Sequence, residues 1–94
     1  MWQGTVIWDD PDDVDGNIAH IDLHGITPDE VLDVLLAKET ADEFSESTGL
    51  PMVFGPCSSG KYIAVVYEEY DEHIRRPVTA YEVPRPREKK RRKR

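Results

Sequence analysis

The stretch "ITPDEVLDVLLA", Ile26 to Ala37, limits the possible folds most, because it places a full set of helix-start signals directly before an apolar run. Thr27 suits the N-cap. Pro28 suits the first helical position, where a missing N–H costs nothing, and Glu30 is spaced to reach back and close a capping box. Ile26 and Val31 have the spacing of a hydrophobic staple. Val31, Leu32, Val34, Leu35 and Leu36 then give a broad apolar face that has to be buried against another layer.

The second half of the chain supplies that layer. "KYIAVVYEEY" (Lys61 to Tyr70) is the strongest strand pattern, rich in β-branched and aromatic residues. "MVFGPC" before it and "IRRPVTAYEV" after it are also strand-like, and "TADEFSES" suits a short strand. Pro77 lacks a backbone donor, which points to an edge position or a bulge. Near the N-terminus "GTVIW" is a short β-rich run closed by the turn-forming "DDPDD". From about Asp13 to His24 the spacing predicts a helix with Val14, Ile18 and Ile21 on one face, ended by Gly25 in a left-handed cap. These elements predict an α+β domain: two N-terminal helices packed on one face of a three- to four-stranded antiparallel sheet. At 94 residues the chain has room for one core only.

Charge divides the chain in two. Residues 1–84 hold four basic and eighteen acidic side chains, a net of −14, whereas residues 85–94 hold eight basic and one acidic, a net of +7. The expected organisation is a folded domain over 1–84 and a disordered basic tail over 85–94, whose cations suit a polyphosphate partner. No apolar run approaches a membrane span of about 18 residues, and the N-terminus lacks a signal-peptide pattern, so a soluble, cytoplasmic protein without a membrane partner is expected. The single Cys57 has no intrachain disulfide partner and suits a small, half-buried strand position.

Two histidines, His20 and His24, lie four residues apart. At 100° per residue Asn17, His20 and His24 fall within about 60° of one another, beside the apolar stripe of the first helix. Three readings of this seam stand side by side: a structural boundary, with His24 near the negative end of the helix dipole; a contact surface for RNA or a partner protein; and a metal site, which would need a third ligand. No metal and no cofactor is expected.

Several features taken in order resemble the BrnT toxins of bacterial type II toxin-antitoxin systems, small proteins with a RelE-like ribonuclease fold. The similar pieces are "IWDD", the helix closing in "HG", the run "ITPDEVLDVL", and "GKYIAVVYEE" followed by "PVTAYE", together spanning most of residues 6–83. The resemblance implies an RNA-cleaving enzyme that arrests translation and a cognate antitoxin of DNA-binding, ribbon-helix-helix-like type. The chain departs from that pattern at Leu23, where relatives carry a Lys, and at Thr79–Ala80–Tyr81, where they carry Ser-Ala-Arg.

Metal-independent RNA cleavage needs a base for the 2′-hydroxyl proton, an acid for the leaving oxygen and donors or cations for the phosphate. The candidates are His24, Lys61, Tyr67, Arg75 and Tyr81. Strand alternation across a hairpin at "YDEH" would gather Lys61, Tyr67, Arg75 and Tyr81 on one sheet surface. Arg76, with Arg85, Arg87, Lys89, Lys90, Arg91, Arg92, Lys93 and Arg94 of the tail, would bind RNA electrostatically. Two other classes of function fit the same sequence: an interaction or regulatory module of the same fold without catalysis, and a small nucleic-acid-binding domain that relies on its basic tail.

Overall fold

A computed structural model of the chain describes residues 1–86. It is α+β, with the elements β1 (Thr5–Val6), α1 (Asn17–Leu23), α2 (Pro28–Leu35), β2 (Glu43–Phe44), β3 (Pro51–Pro56), β4 (Tyr62–Asp71) and β5 (Ile74–Glu82). The strands form one five-stranded sheet of order β1-β5-β4-β3-β2. From β2 to β5 it is an antiparallel meander. The two-residue β1 adds to the outside of β5 in parallel, so the sheet is mixed and longer by one strand than periodicity predicts. "GTVIW" is too short to show its direction, and only the chain's return after both helices decides it.

The start of α2 follows its sequence signals closely. The Thr27 hydroxyl accepts the Glu30 N–H at 3.2 Å, the Glu30 carboxylate accepts the Thr27 N–H at 3.0 Å, and Pro28 occupies the first turn. The end of α1 does as well. Gly25 has φ +76°; its N–H donates to the Asp22 carbonyl, and the Ile26 N–H reaches back to the Ile21 carbonyl, the paired bonds of a left-handed helix cap.

The start of α1 differs from expectation. The helix begins at Asn17 rather than near Asp13, and Val14 is 82% exposed. Asp10 and Asp13 accept backbone N–H groups two residues on, local turns that compete with helix for the backbone of this Asp-rich stretch. The N-cap Gly16 has no side chain to offer. Asp9 serves instead: its carboxylate accepts the Asn17 N–H at 2.8 Å, and the Asn17 side chain bonds the Asp9 N–H and the carbonyls of Ile7 and Pro77. Asn17 thereby fastens α1 to the segment that follows β1 and to β5.

Both helices pack on one sheet face, where Ile21, Ile26, Val31, Val34 and Leu35 meet Val53, Ile63, Val65, Tyr67 and Ala80. At Gly55 α2 lies over β3 at a distance where an added Cβ would make ordinary contact with Val34, 3.4 Å away. The opposite face carries a smaller apolar group of Met52, Ala64 and Val66, flanked by Leu50, Phe54, Tyr81 and Val83. Pro77 lies at a register shift between Val66 and Tyr67, the bulge its missing N–H demands. Among the described residues no helix is long and apolar enough to cross a membrane.

Candidate functional site

The expected common surface of Lys61, Tyr67, Arg75 and Tyr81 does not form. β4 and β5 do pair through the 71–74 hairpin, but two features separate the four residues. Alternation sends Lys61, Tyr67 and Arg75 toward the face that the helices cover. The bulge then inserts one extra residue into β5, so Tyr81 lies opposite Ala64 and faces the other way. Lys61 and Arg75 are also at opposite ends of β4, roughly 25 Å apart along the strand.

Arg75 is fully buried, 1% exposed. Its guanidinium donates to the carbonyls of Leu35, Lys38 and Glu39 at 2.8–3.0 Å, where α2 ends. It is sandwiched between the Trp2 and Tyr67 rings, 4.1 and 4.9 Å from their centroids. This arrangement replaces the water that the last helical carbonyls would otherwise need, and cation–π contact offsets part of the cost of burying the charge. Tyr67 has no exposed surface, its hydroxyl has no partner among the described residues, and burial pushes its pKa up.

Lys61 ties the loop before β4 to the start of α2. Its Nζ donates to the Gly25 carbonyl at 2.6 Å and pairs with the Glu30 carboxylate at 3.2 Å. Burial pushes the Glu30 carboxyl up, but hydrogen bonds from Ser59, the Thr27 N–H and Lys61 outweigh it, and the pKa ends below the ordinary 4.5. Cys57 lies in the same loop, buried, with its Sγ 3.5 Å from the Glu30 carbonyl, and burial pushes its thiol up.

The exposed polar groups that do gather belong to α1 and β5. The rings of His20 and His24 are 5.4 Å apart in an edge-on arrangement, and the Tyr81 ring is 6.2 Å from that of His24. α1 lies along β5 where β1 no longer covers it, tied there by the Asn17 bond to the Pro77 carbonyl. A concavity of about 270 Å³ beside His20 is lined by Asn17, Arg76, Val78 and Thr79, with Asp15 and Gly16 at its edge. Arg76 is held by Asp9 at 2.7 Å and by Glu68 at 3.5 Å. The Asn17 N–H, and after it Arg76, keep the Asp9 carboxyl below the usual carboxylate range.

His24 and Tyr81 thus sit together as candidates, away from Lys61, Tyr67 and Arg75, and Arg76 lies in the concavity beside His20. His20 belongs to this site too; its signal was the i, i+4 spacing from His24. Thr79 had no signal, because the bulge that turns it outward is not readable from β5 alone. Arg85 bonds the Gly60 carbonyl at 3.1 Å and lies over the Tyr62 ring, at the far end of β4 from the hairpin. The expected contacts at Arg87, Lys89, Lys90, Arg91, Arg92, Lys93 and Arg94 lie outside the described residues. Among the described residues no three His, Cys, Asp or Glu side chains gather as a metal-binding group. No family model, curated protein or solved structure matches the chain at a significant level.

Proposed function

We propose that this protein is a BrnT-like endoribonuclease with a RelE-like fold, and that RNA is cut at the His20–His24–Tyr81 seam. The observation that carries this reading is the edge-on pair of exposed imidazoles with a tyrosine ring against one of them and an arginine-lined hollow against the other. Histidine as a class exchanges protons near neutral pH, so a pair of them can divide the work. One imidazole takes the 2′-hydroxyl proton while the 2′-oxygen attacks phosphorus. The bond from phosphorus to the 5′-oxygen breaks, and the second, protonated imidazole delivers the proton that the leaving oxygen needs. The products are a 2′,3′-cyclic phosphate and a 5′-hydroxyl.

Arg76, which lines the hollow beside His20 while paired with Asp9 and Glu68, and the hydroxyl of Tyr81, whose ring lies beside His24, are the donors assigned to the phosphate oxygens. The basic stretch 85–94 supplies attraction to RNA that the acidic body cannot. By the same resemblance, an antitoxin of DNA-binding, ribbon-helix-helix-like type is the partner that holds the enzyme inactive, and the cytoplasm is where both act.

Incubation of the purified chain with a single-stranded RNA, followed by end-group analysis, tests the reading. Cleavage with cyclic phosphate and 5′-hydroxyl ends is expected. If the RNA stays intact, the second reading takes over, a non-catalytic interaction module of the same architecture. The burial of Arg75 and the pairing of Lys61 with Glu30 favour that alternative, since both cations are committed to holding the fold.

A further inference from the structure

The outer side of α1 carries an apolar groove of about 410 Å³ that the ribonuclease reading does not use. Val14, Ile18, Leu23, Ile26 and Pro28 line it, with Asp22 among them. Val14 and Leu23 are each 82% exposed, an unusual state for two large apolar side chains that share one hollow. On the helical wheel the mean direction of Ile18, Asp22 and Leu23 lies about 160° from that of His20 and His24, with Leu23 at the near margin, about 60° from His20. The groove and the histidine seam are therefore different faces of the same short helix that come nearest at Leu23.

The charge around the groove narrows what can fill it. Residues 10–29 hold six acidic side chains, Asp10, Asp12, Asp13, Asp15, Asp22 and Asp29, and no Lys or Arg. Asp13 and Asp15 flank Val14 in sequence, Asp29 follows Pro28, and Asp22 lies in the groove itself. A second copy of this chain would bring an equally acidic body, and its basic segment 85–94 offers no apolar residue except proline. We propose that this groove docks a cationic amphipathic helix of a partner protein, whose apolar stripe covers Val14, Ile18 and Leu23 while Lys or Arg side chains beside the stripe meet the surrounding aspartates. Apolar anchors in a groove with complementary charge at its rim are the usual way a helix is recognised. The inference stands without the ribonuclease reading, because the groove lining contains none of His20, His24 and Tyr81.

The probe is a synthetic helix of about four turns with leucines on one face and Lys and Arg on the rest, titrated into the full chain and followed by amide chemical shifts and calorimetry. A scrambled peptide of the same composition is the control for plain charge attraction. Saturable binding is expected, with shifts centred on residues 11–28. It should weaken at least about tenfold in Leu23→Ser or Val14→Ser, and the scrambled peptide should bind far more weakly. Both side chains are exposed, so unchanged thermal unfolding of the variants will show that the fold is intact. Equal binding of the scrambled peptide, shifts centred elsewhere, an unaffected Leu23→Ser, or self-association that Leu23→Ser reverses would each overturn the proposal.

Discussion

Arg75 and His24 enter as candidates for the same chemistry and end in opposite surroundings. The arginine is enclosed by two aromatic rings and three carbonyls, while the histidine is open to solvent beside a second imidazole and a tyrosine. Sequence spacing could place Arg75 on a strand, but it could not show that Trp2 and the end of α2 close over it, because those contacts join residues more than thirty positions apart. Arg75→Met should therefore lower stability on the order of 3 kcal/mol, since it leaves buried carbonyls without donors. Denaturant unfolding measures this. Arg75→Lys should recover little, because an ammonium cannot span three acceptors as the planar fork does. His20→Gln and His24→Gln touch exposed side chains and should stay within about 0.5 kcal/mol of the parent.

The elements differ in how much of each was legible. α2 carried its whole start in four consecutive residues, and Thr27→Ala should cost about 1 kcal/mol in unfolding free energy by removing the capping hydroxyl. Its end was not legible, because the donors come from β5. For α1 the reverse holds: Gly25 announced the end, whereas the start depends on Asp9, eight residues before Asn17. Of the apolar period that drew Val14 into the helix, Ile21 enters the core while Val14 and Ile18 line the outer groove, which is why the match in spacing was misleading. In β5, Pro77 announced a bulge but not its consequence, the reversal that separates Tyr81 from Arg75. Asn17→Ala should destabilise more than the Thr27 change, about 2 kcal/mol, because several backbone groups lose their partner at once.

At the scale of the molecule, acid should loosen the joints between helices and sheet. Glu30, Asp9 and Asp42, the last of which accepts from Lys38 and from the Phe54 N–H of β3, all have lowered pKa values in the fold. A carboxyl of this kind contributes stability above its unfolded value, 4.5 for Glu and 3.8 for Asp, and that contribution fades as pH falls through the folded value. The difference in denaturant midpoint between the parent and Glu30→Gln should accordingly be greatest above about pH 4.5 and close in stronger acid, where the parent carboxyl is itself protonated. A gap that persists unchanged at low pH would mean that charge on Glu30 is not what holds the 57–61 loop to α2.

Catalysis by the histidine face is the claim on which the other assignments rest. The most direct measurement compares RNA cleavage by the parent, His20→Gln, His24→Gln and Arg76→Ala proteins at equal concentration, with thermal unfolding recorded on the same samples. Each histidine variant should lose at least about a hundredfold in rate while unfolding at the parent's temperature. Cleavage that persists undiminished in both histidine variants, or its absence from the parent, would contradict that claim.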